Sequence, residues 1–206
     1  MKRTLGIVIT SVTLAGFAAI VVIATLARGP RGGFPRASSD PFALMLSERI
    51  GPLHIGMPEE LLRRVLGPPN KAGELDYCAA TGYYSKSFEY PGVFVEVHSE
   101  QSATDKEHSL YCTGSMDEWR DSLADRSFSF CVGYVAVTAP CKYKTTKGIG
   151  IGSPVDVVRR KYGAYEDTVN AGRSAVCLVA GSLYGGVLFE FVGGRCSEIK
   201  LGAFAE

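Results

Sequence analysis

Three rhythms of hydrophobic and polar positions divide this chain. From Leu5 to Ala27 there is no alternation at all: 23 uncharged, mostly apolar residues are bracketed by Lys2 and Arg3 on one side and Arg28 on the other. That length can span a hydrocarbon core with some tilt. It exceeds the apolar region of a cleaved secretory signal, about 7–15 residues. Residues 1–27 therefore read as a signal-anchor, with a signal peptide cut after Ala24 or Ala27 as the alternative. Residues 28–39, rich in Gly, Pro, Ser and Arg, read as a linker. A helical period follows in short stretches. Asp40-Pro41 opens a helix over Phe42–Arg49. Leu61, Leu62, Val65 and Leu66 form one apolar stripe, and Val155, Val157, Val158 and Tyr162 form another. Elsewhere the period is two. Gly82–Tyr90 and Val93–His98 predict a hairpin across Pro91-Gly92, and Ser174–Ala180 and Val187–Val192 predict a second across a Gly-rich turn. Phe128–Val137 and Cys196–Leu201 predict closing strands. Between them, residues 99–127 read as an insertion: a polar loop over Ser99–His108, then a short helix opened by Ser115 and Glu118 with Met116, Trp119 and Leu123 on its apolar side.

The helical segments belong to a repeat. Leu53-His-Ile55-Gly56-Met-Pro58 runs on to Arg63-Arg64 and Gly67; ninety-six positions later Ile149-Gly-Ile151-Gly152-Ser-Pro154 runs on to Arg159-Arg160 and Gly163. A weaker echo joins Gly92-Val93 through Glu96-Val97 to Gly186-Val187 through Glu190-Phe191, ninety-four positions on. The expected fold is α+β: two tandem repeats of a helix packed on an antiparallel sheet, residues 40–141 with the helical insertion and 142–206 without it. Pro58 and Pro154 suit the first helical position, Ser153 with Asp156 suits a capping box, and Gly67 and Gly163 suit helix stops. The paired arginines favour the helix dipole and are expected to face solvent.

Composition narrows the partners. A hydrophobic share of 46% is ample for a packed core, and a formal charge of +1 gives no electrostatic footprint for nucleic acid. The six cysteines, Cys78, Cys112, Cys131, Cys141, Cys177 and Cys196, show no zinc-like spacing. An even count behind a secretory leader points to disulfides in an oxidising compartment, with buried free thiols in a cytosolic body as the alternative. The repeat favours Cys78–Cys131 and Cys177–Cys196, leaving Cys112 with Cys141 to tie down the insertion.

Candidate chemistry is sparse. Gly148-Ile-Gly150-Ile-Gly152 lacks the Lys-Ser/Thr of a phosphate loop and alternates as a strand does. His98 and His108, with Glu100, Asp105 and Glu107, lie in a stretch expected to be a solvated acidic loop, so neither a metal nor another cofactor is expected. Glu96 and Glu190 stand at matching strand positions and read as outward polar residues rather than an acid–base pair. What remains is aromatic: Tyr84, Phe88 and Tyr90 on one face of the first hairpin strand, Tyr83 on the other, and Tyr134 in the closing strand. An uncovered sheet face bearing these would suit a protein partner.

The segment Leu53-His54-Ile55-Gly56-Met57-Pro58 through Leu66-Gly67-Pro68-Pro69 resembles a module of the small outer-membrane assembly lipoproteins and of the secreted β-lactamase inhibitor proteins, which carry it in tandem with a disulfide in each half. The resemblance implies two helix-plus-antiparallel-sheet units forming one sheet surface that grips a protein. This chain departs from both in its insertion, its apolar N-terminus and its lack of a lipid-attachment cysteine. The expectation is a non-enzymatic, protein-binding module displayed outside a bacterial inner membrane by one pass through residues 5–27, or secreted. Its role would be envelope assembly, inhibition or immunity. An envelope hydrolase and a metal or small-molecule sensor are the alternatives.

Overall fold

Runs of β-branched and aromatic residues at period two build the strands of a single antiparallel sheet. The computed structural model describes residues 42–78, 81–124, 126–169 and 174–204. The apolar leader, the linker and the Asp40-Pro41 start lie outside the described residues. Among the described residues no helix is long and apolar enough to cross a membrane.

The elements in order are α1 (Ala43–Ser47), α2 (Glu59–Leu66), β1 (Lys71–Ala72), β2 (Asp76–Cys78), β3 (Tyr83–Tyr90), β4 (Val93–Ser102), α3 (Asp105–Cys112), α4 (Met116–Ser122), β5 (Phe130–Thr138), α5 (Val155–Tyr162), β6 (Cys177–Ser182), β7 (Gly185–Val192) and β8 (Arg195–Gly202). The sheet has eight strands, in the order β1-β3-β4-β5-β8-β7-β6, and β2 pairs with β3 beyond the reach of β1. The fold is thus α+β with five α-helices among the described residues. The two hairpins meet at β5 and β8, where Val135, Ala136, Val137 and Thr138 pair with Leu201, Lys200, Ile199 and Glu198.

The two halves share local geometry. Gly56 N–H donates to the Val132 carbonyl at 2.8 Å and Val132 N–H to the Met57 carbonyl at 2.8 Å; Gly152 N–H donates to Cys196 at 2.7 Å and Cys196 N–H to Ser153 at 2.8 Å. Gly56 and Gly152 take φ of 80° and 84°, a left-handed turn that a Cβ would strain. Pro58 and Pro154 are helix caps with ψ of 142° and 143°, one residue earlier than expected. The register slips between Glu96 and Val97 against β5, and between Glu190 and Phe191 against β8.

Helix ends hold some corrections. Ser153 does not cap α5; its hydroxyl accepts from Gly150 N–H instead. Gly67 stops α2 at φ 78°, and Gly163 caps α5 as expected before the chain makes a 3-10 turn over Gly163–Tyr165. Val65 is exposed, so the buried anchor of α2 is Leu62. Arg159 does not face open solvent. Its guanidinium pairs with Glu166 at 3.0 Å and also reaches the carbonyls of Ser174 and Cys177, covering part of the outer edge of β6.

The stretch Ser99–His108 is not a loop. β4 continues to Ser102 and α3 begins at Asp105, through a capping box in which Thr104 accepts from Glu107 N–H and the Glu107 carboxylate accepts from Thr104 N–H at 2.7 Å. That carboxylate is buried and also receives the Tyr84 hydroxyl at 2.9 Å and the Arg126 guanidinium. Trp119 of α4 is buried against Tyr84, with ring centroids 6.3 Å apart, and against Tyr111 at 5.4 Å, which anchors the insertion to the core.

Burial alone would raise the Glu107 pKa. The Thr104 amide, the Arg126 guanidinium, the Tyr84 hydroxyl and the Thr104 hydroxyl outweigh it and hold the group at about 2. A folded pKa below the unfolded value of about 4.3 means a contribution fully present above that value and lost as pH falls toward about 2. Glu107→Gln is expected to cost about 3 kcal/mol at neutral pH, because it leaves the Arg126 charge unpaired. It should also flatten the dependence of the urea midpoint on pH between those limits. An unchanged pH slope in the variant would show that another carboxylate carries it.

Candidate functional site

Strand alternation sends Tyr84, Phe88, Val95, Val97, Val135, Phe189, Ile199 and Leu201 to one face, where all are buried. On the other face Phe94, Glu96, Tyr134, Leu188, Glu190 and Lys200 remain partly exposed. That second face runs across the β5·β8 junction and is the candidate site.

The placement of the expected contact residues splits along this divide. Tyr84, Phe88 and Tyr90, at 0%, 1% and 8% exposure, belong to the core and present nothing to a partner. They do share one face, as their spacing requires; it is the face that α2, α4 and α5 cover. Tyr83 and Tyr134 lie on the uncovered side. Tyr134 meets Phe94 edge to face at 6.2 Å, a small aromatic platform. Burial raises the Tyr134 pKa, and the carboxylates of Glu198, Glu190 and Glu96 add to this against the lowering effect of Lys200, so the phenol stays neutral.

Charges on this face are paired. Lys200 Nζ lies 2.6 Å from Glu190 and 3.3 Å from Glu198. Burial lowers the Lys200 pKa, but the two carboxylates overcome that and raise it. Glu96 accepts from His98 Nε2 at 3.0 Å; that bond lowers its pKa against the effect of burial, with help from the charge of His98 and from the Ser85 hydroxyl. A carboxylate held ionised in this way is a poor general acid, which needs the opposite shift. Glu96 and Glu190 sit three strands apart, so roughly 14 Å or more separates them at ordinary strand spacing. They cannot act on one bond. Cys131 lies directly across from His98 in the register, yet burial, the Glu100 charge and the bond to Glu100 all raise its pKa and keep it a thiol.

Beside this face a groove of about 920 Å³ wraps the β3 edge. It runs from Tyr83, Ser85, Phe94, Glu96 and His98 beneath the segment Gly73–Asp76 to Met116, Trp119 and Arg120 of α4. Sequence reasoning missed it because β1 and β2 are two and three residues long, too short for a period to be read. Among the described residues no group of three or more His, Cys, Asp or Glu could hold a metal ion. The solvated loop that was to contain His108 and Glu107 is instead the helix α3.

All six cysteines are free thiols, and the expected pairs are separated by the sheet. Cys177 faces the uncovered side opposite Glu190, whereas Cys196 is buried on the core side opposite Phe191 and two strands away. Cys78 lies three strands from Cys131. Cys141 N–H sits against Gly92, at one end of the ten-residue strand β4, and Cys112 belongs to the insertion that follows the other end. None of these spacings meets the reach of a disulfide, whose Cα atoms lie within about 7 Å.

Comparison of the chain with protein-family models, curated proteins and solved structures found no match.

Glu190 and Glu198 are directly opposite in the register, so Lys200 neutralises a pair that would otherwise repel. Lys200→Met is expected to lower stability by about 1 kcal/mol at low salt. High salt should recover most of the loss by screening. Thermal melts at two ionic strengths check this, and a loss that ignores salt would assign Lys200 a packing role.

Proposed function

We propose that this chain is an extracytoplasmic protein-binding module built from two copies of one helix-plus-sheet unit, and that it uses the uncovered sheet face to hold a protein partner. The observation that carries the reading is the junction of β5 and β8, which makes the outward faces of both hairpins one continuous surface. Its centre combines what protein contacts use: aromatic groups at Phe94 and Tyr134, an apolar Leu188, and charges already paired at low cost of ordering. The matched Gly–Pro turns and the matched register slips support descent from a duplicated unit. The apolar N-terminal stretch supports display by a single pass in a bacterial inner membrane, with the C-terminal domain on the outer side; secretion after cleavage is the alternative.

An enzymatic role, such as an envelope hydrolase, finds less support. The ionised Glu96, the protonated Cys131 and the separation of Glu96 from Glu190 suit binding better than bond cleavage. The β3-edge groove favours one second reading, a small-molecule sensor, whose sign would be a ligand-dependent rise in melting temperature.

The test is a pull-down from solubilised envelope with the full chain in detergent. Phe94→Ser/Tyr134→Ser alters the uncovered face, and Val65→Ser alters an exposed apolar residue on α2 as a control. One stoichiometric partner, kept by the control and lost by the double variant, is the expected result. A partner retained by the double variant would remove this face from the interaction, and no partner at all from folded protein would sink the module reading.

A further inference from the structure

α3 ends in a thiol, and one turn earlier on the same side stands an imidazole. Cys112 Sγ lies 3.7 Å from His108 Nε2. The other ring nitrogen, His108 Nδ1, lies 2.6 Å from the Tyr77 hydroxyl oxygen. Cys112 and His108 are exposed, while Tyr77 is 3% exposed and fixed in the core of β2. Burial, followed by the neighbouring thiols Cys112 and Cys78, Glu107 and Tyr111, raises the Tyr77 pKa, so its hydroxyl is a neutral partner. An imidazole whose Nδ1–H donates to that oxygen turns an Nε2 lone pair toward the sulfur. Nucleophile, base and orienting group then stand in hydrogen-bonded sequence, the arrangement that activates weak nucleophiles.

We infer that Cys112 is a nucleophilic thiol, with His108 as its base and Tyr77 as a positioning residue, and that its substrates are low-molecular-weight disulfides. In the step, His108 Nε2 takes the Cys112 proton and the thiolate attacks one sulfur of the incoming disulfide. A new S–S bond forms on Cys112 while the substrate S–S bond breaks. The departing sulfur leaves as a thiolate with the electron pair, so Cys112 is oxidised and the leaving thiol reduced. The imidazolium then gives its proton to solvent. The exposed position at the end of α3 leaves room for the substrate's second half.

Cys78 is the internal comparison. It is exposed and flanks the same Tyr77–Tyr111 ring pair, whose centroids are 5.0 Å apart, but its sulfur has no hydrogen bond to an imidazole among the described residues. The titratable and charged groups around the site are Asp76, Tyr77 and Cys78 from β2, with Glu107, which is tied to Arg126, and Tyr111 from α3.

The experiment is labelling of the full chain, reduced and in detergent, with 5,5′-dithiobis(2-nitrobenzoate), each cysteine followed by peptide mass mapping. Cys112 is expected to react about tenfold faster than Cys78 near neutral pH. His108→Ala and His108→Gln should both bring Cys112 down to the rate of Cys78, with near-ultraviolet dichroism unchanged. Tyr77→Phe should slow Cys112 and leave Cys78 unaffected. Equal rates for Cys112 and Cys78 in wild type overturn the inference, as does a Cys112 rate that both His108 variants leave in place.

Discussion

Four residue pairs between β5 and β8 decide what kind of molecule this is. Without them the chain would hold two small antiparallel sheets, each with an open edge on its closing strand. With them the last strand of each half covers the last strand of the other, and the alternation of side chains runs through the join in phase. Val135, Val137, Ile199 and Leu201 all point to the core, while Tyr134, Ala136, Glu198 and Lys200 point away from it. A slip of one residue at this point would reverse the facing of one half relative to the other. The shared core and the shared outer face therefore rest on the same register.

A second constraint acts on the core side. Glu48, 2% exposed, accepts from the Tyr162 hydroxyl at 2.7 Å, the Thr146 amide at 2.7 Å, its neighbour Arg49 N–H at 3.0 Å and the Thr146 hydroxyl. The carboxylate comes from the segment entering the first half, and Thr146 and Tyr162 belong to the second. A buried carboxylate so fully bonded is worth less as net stability than as a fixed arrangement, because its removal strands four donors at once. Ile50 bridges Thr145 beside it, so the approach to α2 and the approach to α5 are tied together. Junction and tether lie in different layers, and together they hold the halves at two points.

Most strands were legible because alternation is a property of local sequence. Which face is covered is not. Tyr84, Phe88 and Tyr90 were rightly grouped on one side of β3, but only the packing of Leu62, Trp119 and Tyr162 against the sheet tells that this side is the core. α3 was hidden for a different reason. Its one buried helical residue is a glutamate, so it lacks the apolar stripe by which a helix is read, although the Thr104-to-Glu107 capping box was present in the sequence. The cysteine pairing failed because strand order is not a local property. Alternation places each cysteine on a strand, but only the assembled sheet sets Cys177 two strands from Cys196 and Cys78 three strands from Cys131.

The halves differ most where the insertion departs from β4, and the chemistry-bearing residues off the sheet face gather there as well. The reason is physical. A strand–turn–strand hairpin spends its side chains on the core and on alternate outward positions, where polar groups such as Lys200, Glu190 and Glu198 satisfy one another. α3 escapes that economy because it is held mainly by a single carboxylate, Glu107, acting as helix cap, ion-pair partner of Arg126 and acceptor for Tyr84. One anchored turn is enough to fix the direction of the whole helix, and with it the approach of His108 to Tyr77 on β2. The sheet thus provides a broad surface with its charges matched in place, and the insertion provides a small, exposed and well-oriented cluster beside it. A partner seated on the sheet face and a reagent arriving at α3 would use different atoms of the protein, so neither use depends on the other.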